Sequence, residues 1–464
     1  MGEDMRAKWG SQIGFILATA GSAIGLGNIW RFPYLAGKYG GGTFLLLYLI
    51  CVAVLGYFLL TAKMAFGRAA QTNIVDGFRV TGNQVTGKTS PLWGYLGGWL
   101  GFLNAMLVAS VYVIVIGWTA SYVVAGFELW LGFSNQEINA GLFDRLTASF
   151  GQQLMWSFLC ILATGLIIVR GVHKGIEKAS LYLMPVLFFL LLFMVIWMVF
   201  LPGSEKGILF FLKPDWTHLG FTSEGFQIRV FGDLLLTALG QAIYSLSMGM
   251  GVIFIYGSYL PKSNNIKKDT LWVAGLDTLV AFLAGLIVLP AVFAFGLEPG
   301  QGPALSFISL PLIFTQMAAG HFLMFLFFLL LFLAALTSLI SIYESIVSLI
   351  MDKAKLSRFQ TTVLMAVMNL ICASIVLLSF TKVWPVTVFG QDLFNAFDKL
   401  TGSFTMTLMV FVCCLFMGWK IYPLIVRELD LINHKNRFFR IYLKWLLRVV
   451  VPLIMLVLFA TALL

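Results

Sequence analysis

Two short stretches place polar residues inside otherwise apolar surroundings. "AGSAIGLGNIWRFP", Ala20 to Pro33, sets Gly21, Gly25 and Gly27 beside Asn28 and Arg31 in the first long apolar run. "GQAIYSLSMGMG", Gly240 to Gly251, sets Ser245 and Ser247 among glycines in a later run. Glycine weakens a helix, and a helix that unwinds frees backbone carbonyls and amides. Free carbonyls suit a small hard cation such as Na+, and free amides at a half-helix N-terminus suit a carboxylate. One break therefore offers complementary places for Na+ and for the carboxylate of an amino acid. A glycine-rich helix-packing face is the plainer alternative, because Gly21 and Gly25 have small-xxx-small spacing. Asn28, Arg31, Ser245 and Ser247 favour the binding site, since polar groups at membrane depth are costly. His173, His218 and His434 are expected in loops and His321 at a helix start, with no nucleophile or metal constellation around them. The cysteines (Cys51, Cys160, Cys372, Cys413, Cys414) lie in apolar runs without metal-ligand spacing. No covalent chemistry is expected, so the chain does not read as an enzyme.

The elements that must position these residues are membrane helices. The chain has 464 residues, 60% hydrophobic and only 11% charged. Apolar runs of about 20 residues mark spans of a hydrocarbon core. Eleven are expected, near 11–36, 41–67, 94–125, 152–170, 179–201, 227–259, 269–296, 321–351, 359–380, 397–418 and 438–463. Most Lys and Arg residues then fall on one side, which predicts a cytoplasmic N-terminus and an extracytoplasmic C-terminus. The net charge of +10 reflects this bias and implies no nucleic-acid partner; the basic stretch 420–448 faces anionic lipid. The broken spans, one and six, are five apart, and five is odd. Two tandem five-helix units must therefore enter the membrane from opposite sides, which points to a transporter with its site between two inverted halves. The expected organisation is one transporter domain, 1–464, with a first inverted repeat over 10–201, a second over 226–418 and helix 11 over 438–463.

"WGSQIGFILATAGSAIGLGNIWRFPYLAGKYGGGTF" resembles the first-helix signature of the neurotransmitter:sodium symporter family, which includes the bacterial transporter LeuT. The resemblance continues through "VRGVHKGIEK", "LPLIFTQMAAG" and "FLAALTSLIS" and covers spans one to ten. It implies an all-α membrane protein with the LeuT fold, helices 1 and 6 unwound midway, in a bacterial plasma membrane. It implies two sodium sites. The first would use the Ala23 carbonyl, Asn28, Ser245 and Asp277. The second would use carbonyls of Gly21, Ile24 and Ala334 with the hydroxyls of Thr337 and Ser338. The substrate carboxylate would meet the amides of Leu26 and Gly27 and the Tyr112 hydroxyl; the amine would meet carbonyls of Ala23, Tyr244, Ser245 and the Ser247 region. Ser22, Val108, Tyr112, Tyr244, Met250, Ser338 and Ile342 would line the side-chain pocket. Ser22 offers no counter-ion to an amine, and the lining favours a hydrophobic or aromatic amino acid. Arg31 and Asp398 resemble an outer gate pair, and Arg6 and Asp352 an inner one with Trp9 and Tyr259 nearby.

Two positions depart from the family pattern. In "GYFLLTAKMAFGR", Phe58 stands where the family has proline and Lys63 where it has glutamate. Glutamate accepts hydrogen bonds from the broken backbone of span six, whereas lysine only donates. Lys63 is either a coupling residue or a side chain that snorkels to the interface. Asp277 supplies a carboxylate where chloride-dependent animal members carry a neutral residue, so chloride is not expected as a cofactor. The reading is a sodium-coupled symporter importing a hydrophobic or aromatic amino acid by alternating access, with no obligatory protein partner. A sodium-independent exchanger and a non-transporting amino-acid sensor are the alternatives.

Overall fold

The computed structural model describes residues 7–87, 91–133, 141–222, 225–298, 305–388, 390–432 and 436–463. The fold is almost entirely helical. Its strands form two short antiparallel hairpins, Phe221–Thr222 with Gly225–Phe226 and Thr387–Val388 with Gln391–Asp392. Helix α1 (Gln12–Ala23) and α2 (Gly27–Lys38) form one span bent by 52°. Then come α3 (Gly42–Ala70), α4 (Gly94–Trp130), α5 (Phe150–Ile168) and α6 (Val172–Val199). The second broken element is α7 (Ile228–Ser245) and α8 (Val252–Ser258). The last five are α9 (Ile266–Ala294), α10 (Gly320–Ala354), α11 (Arg358–Phe380), α12 (Leu393–Lys420) and α13 (Arg437–Thr461). Among the described residues, nine helices are long and apolar enough to cross a bilayer, ten with the bent pair. The expected span 227–259 is not one of them, because residues 246–251 leave the helix between α7 and α8.

Helix boundaries follow capping chemistry. Ser149, Asn265 and Asp392 each accept a hydrogen bond from a backbone amide of the first turn of α5, α9 and α12. Ser357 and Gln360 form a reciprocal capping box at the start of α11. The breaks have backbone causes. Ile24 turns extended after α1 (φ −70°, ψ 108°). Ser247 (φ 52°) and Gly251 (φ 74°) are left-handed within the α7–α8 break. A left-handed serine costs about 1–2 kcal/mol relative to a right-handed conformation, so packing must hold it there.

Around the breaks the helices form a buried core. α1 packs against α6, α9 and α10, α8 packs against α3, and α10 lies along α4. α6, α11 and α13 expose apolar side chains such as Phe189 (68%), Ile196 (60%), Phe359 (63%) and Leu453 (57%), a surface suited to acyl chains rather than water. Lys63, Asp277 and Glu344 are buried in this core and need partners there.

Candidate substrate and ion site

Asn28, just inside α2, reaches across to α7 and α9. Its Nδ2 donates to Ser245 Oγ (3.0 Å), the Asp277 carbonyl (3.0 Å) and Asp277 Oδ1 (2.8 Å), while its Oδ1 accepts from the Gly25 amide (3.2 Å). Ser245 Oγ lies 2.9 and 2.8 Å from the two Asp277 carboxylate oxygens. The Tyr48 hydroxyl completes the group at 3.5 Å. Asn28, Ser245 and Asp277 thus meet as the sequence predicts, and Ala23 lines the adjoining cavity. Every hydrogen-bond partner of the buried Asp277 side chain is neutral. A buried carboxylate without an opposite charge is costly, and a monovalent cation coordinated by these oxygens would offset it. Tyr48 and Gln241, whose Nε2 donates to the Gly27 carbonyl (2.8 Å), were missed in the sequence. The signal for Gln241 lay inside the quoted "GQAIY"; Tyr48 gave none beyond a hydroxyl within an apolar run.

The other predicted ion site is equally compact. Ser338 Oγ on α10 lies 3.4 Å from the Gly21 carbonyl, 3.4 Å from Ser22, 3.1 Å from Ile24 and 3.3 Å from Ala334. Thr337 Oγ1 is 3.0 Å from the Ala334 carbonyl. One hydroxyl proton cannot satisfy four carbonyls at once. The surplus of oxygen lone pairs is the donor chemistry that a hard cation takes.

Between these clusters lies a cavity of about 30 Å³. Ser22, Ala23, Leu26, Gly27, Val108, Tyr112, Tyr244, Ser245, Ser247, Met250, Ser338 and Ile342, all expected there, line it, joined by Gly25 and Met406. The Leu26 amide donates to the Tyr112 hydroxyl (3.4 Å), so the amide and the phenol point to one place. A Cβ at residue 25 would sit 2.6 Å from Ser338 Oγ and 2.8 Å from the Tyr112 hydroxyl, so glycine lets these two hydroxyls approach the turn. Above it opens a vestibule of about 500 Å³ that both Arg31 and Asp398 face. The expected outer pair is not closed: no ion pair within 4.0 Å joins them among the described residues, and the Arg31 guanidinium lies over the Tyr244 ring at 4.8 Å.

The opposite end is tied shut. Trp9 Nε1 donates to the Tyr256 carbonyl (3.1 Å), and its ring meets Tyr256 and Tyr259 edge-on. The Tyr259 hydroxyl donates to Glu344 (2.6 Å), which is paired with Arg358. Glu177 Oε2 accepts from the Gly10 amide (2.7 Å) and meets His173 Nδ1 (2.9 Å). His173, expected in a loop, lies in the first turn of α6. Asp352 Oδ2 accepts from Asn73 Nδ2 (2.9 Å). Arg6, its expected partner, lies outside the described residues. Asn73 also holds Asp76 (2.8 Å), as does Lys353 (2.7 Å). Burial pushes the Asp76 carboxyl up, but the bonds from Lys353 and Asn73, with the charges of Lys353 and Arg79, hold it below the usual carboxylate range. Glu177, Glu344, Arg358 and Asn73 escaped the sequence reading because each also bonds a residue far away in sequence: Gly10, Tyr259, the Ile168 carbonyl and Asp352.

Lys63 does not snorkel. Its side chain is buried, and Nζ donates to the Met248 carbonyl in the α7–α8 break. The next carbonyl, Gly249, accepts from Asn104 Nδ2 (2.9 Å), and Asn104 accepts in turn from Thr405. Phe58 packs on the rings of Phe439 (4.8 Å) and Tyr442 (4.7 Å) of α13. The cysteines are free thiols, all buried except the partly exposed Cys372.

Comparison with known proteins agrees with this geometry. The chain is 36% identical to the uncharacterized sodium-dependent transporter YhdH of Bacillus subtilis, over 99% of this chain and 98% of that protein. It is 33% identical to an uncharacterized sodium-dependent transporter of Haemophilus influenzae, over 98% and 97%. Its structure matches that of MhsT in complex with L-phenylalanine with a TM-score of 0.85 and 34% identity, over 98% of this chain and 100% of that one. MhsT has the LeuT fold, and this chain shares it. The model of the sodium:neurotransmitter symporter family matches residues 6–145 and 142–464, and with two broken helices around a polar centre the chain belongs to that family of membrane transporters.

Proposed function

We propose that the protein is a sodium-coupled symporter that imports a hydrophobic or aromatic amino acid by alternating access. The observation that carries this reading is the buried Asn28–Ser245–Asp277 cluster beside the Leu26 amide and the Tyr112 hydroxyl it meets. In this reading the substrate carboxylate sits on the Leu26 and Gly27 amides, Tyr112 and the first sodium ion. The amine sits on carbonyls of the two breaks. Val108, Met250 and Ile342 face the side chain, and Ser22 offers the amine no charge. A second sodium ion joins α1 to α10 through Gly21, Ile24, Ala334, Thr337 and Ser338. Asp277 makes chloride unnecessary. Arg31 and Asp398 close the outer side over Tyr112 and Tyr244; Arg6, Asp352, Trp9 and Tyr259 close the inner side. Lys63 couples the α7–α8 break to α3. The breaks lie in matching places of inverted repeats 10–201 and 226–418. Counting α7 and α8 as one crossing gives eleven spans, with the N-terminus cytoplasmic and the C-terminus outside a bacterial plasma membrane. L-Phenylalanine in the MhsT complex supports the substrate class.

The test is uptake into proteoliposomes. Labelled phenylalanine, leucine or tryptophan should accumulate only with an inward sodium gradient and equally well in gluconate or chloride. Uptake without sodium would favour the exchanger; sodium-dependent binding without flux would favour the sensor.

A further inference from the structure

α13 carries a cation stripe that pairs with no acidic side chain among the described residues. Arg437, Arg440, Lys444 and Arg448 follow one another at helical spacing, so they share one face. Among the described residues none of them forms an ion pair within 4.0 Å, and the nearby acid Glu428 is taken by Arg68 (2.9 Å). The Arg448 guanidinium lies 5.0 Å from the Trp419 ring and 5.6 Å from Tyr422, with Nε bonded to the Gly418 carbonyl (2.7 Å). Arg437 and Lys444 are exposed.

Beside this stripe runs an apolar one at the same spacing: Phe438 (80% exposed), Ile441 (44%) and Trp445 (61%). The other side of the helix is occupied, since Phe439 and Tyr442 pack on Tyr57 and Phe58 of α3. The helix also has length to spare. It runs 25 residues, whereas about 20 cross a hydrocarbon core. Its first turns therefore stand in the headgroup layer, where Trp419 and Trp445 also belong. The free surface there needs an occupant that is anionic at one end and apolar along its length.

We propose that the N-terminal turns of α13, with Trp419, form a binding site for an anionic glycerophospholipid. Its phosphate lies on Arg437, Arg440 and the upward-reaching Lys444, and its acyl chains descend from there past Ile441 and Trp445. A soluble phosphate matches the charges but leaves the apolar stripe uncovered.

The test is native mass spectrometry of the full chain released from phosphatidylcholine nanodiscs containing a minor fraction of phosphatidylglycerol. The wild type should retain phosphatidylglycerol in preference to phosphatidylcholine. Removing each charge should weaken retention roughly five-fold. The triple variant Arg437→Gln, Arg440→Gln, Lys444→Gln should lose the preference, while Arg437→Lys with Arg440→Lys should keep it. Equal retention by the wild type and the triple variant would overturn the site. So would displacement of the lipid by soluble glycerol phosphate at comparable concentration. Sodium-stimulated amino-acid binding by the triple variant serves as the check on folding.

Discussion

At the scale of single residues, the centre turns on how three polar side chains share few protons. Asn28 spends its amide on Ser245 and Asp277, and its oxygen on the Gly25 amide. Asn28→Ala should therefore loosen both the ion cluster and the turn after α1. Half-maximal sodium activation of amino-acid binding should move up about tenfold, a loss of ~1.4 kcal/mol, measured by scintillation proximity across a sodium titration. Asp277→Asn keeps an oxygen and removes the charge, so its activity should fall and return in part when chloride is supplied. Full activity of that variant in chloride-free buffer would remove Asp277 from the role. Lys63 gives a third case, because its Nζ donates to the Met248 carbonyl. Lys63→Met should weaken amino-acid binding, and Lys63→Gln, a neutral donor, should recover part of the loss. Identical binding curves for all three proteins would leave Lys63 with a packing role alone.

At the scale of elements, the breaks are conditions for the site. α1 and α2 diverge by 52°, and Gly25 lets Ser338 and Tyr112 approach the turn. Gly25→Ala should leave a folded protein, since overpacking costs about 1–3 kcal/mol. It should nevertheless abolish binding of sodium and amino acid together, measured on detergent-solubilised protein that still elutes as a single species. Loss of only one ligand would show that the two sites do not share this turn. Both breaks were legible in the sequence because glycines beside Asn28, or beside Ser245 and Ser247, contradict an uninterrupted span. The pocket lining was legible through the family resemblance rather than through composition. Tyr48 was not: it meets Asp277 across 229 positions of sequence, and no local pattern encodes such a contact. The same holds for Glu344 with Tyr259, and for Asn104 with Gly249. Arg31 and Asp398, read as an outer gate pair, both face the vestibule without touching. A gate distance belongs to one conformation, and here Arg31 rests on Tyr244 instead.

At the scale of the whole molecule, one end is roomy and the other is cross-tied. Asp76 belongs to the ties, with its carboxyl held below the usual range mainly by Lys353 and Asn73 against the effect of burial. A depressed folded-state pKa stabilises the native form above the unfolded pKa, and that gain disappears as pH falls through the folded one. Thermal stability should therefore drop on acidification below about pH 4, and drop less in Asp76→Asn, by fluorescence-monitored melting. A pH profile unchanged by the substitution would assign the acid sensitivity to other carboxylates. The arrangement of the sulfur atoms has a practical consequence at this scale. All the thiols are sheltered except the partly exposed Cys372, so the native chain should be nearly silent to water-soluble maleimides. A single cysteine placed at Asn395, in the vestibule wall, would then report on its own whether water reaches that wall. Its labelling rate, followed while sodium and amino acid are added, would time the opening and closing of the vestibule without any change to the five natural cysteines.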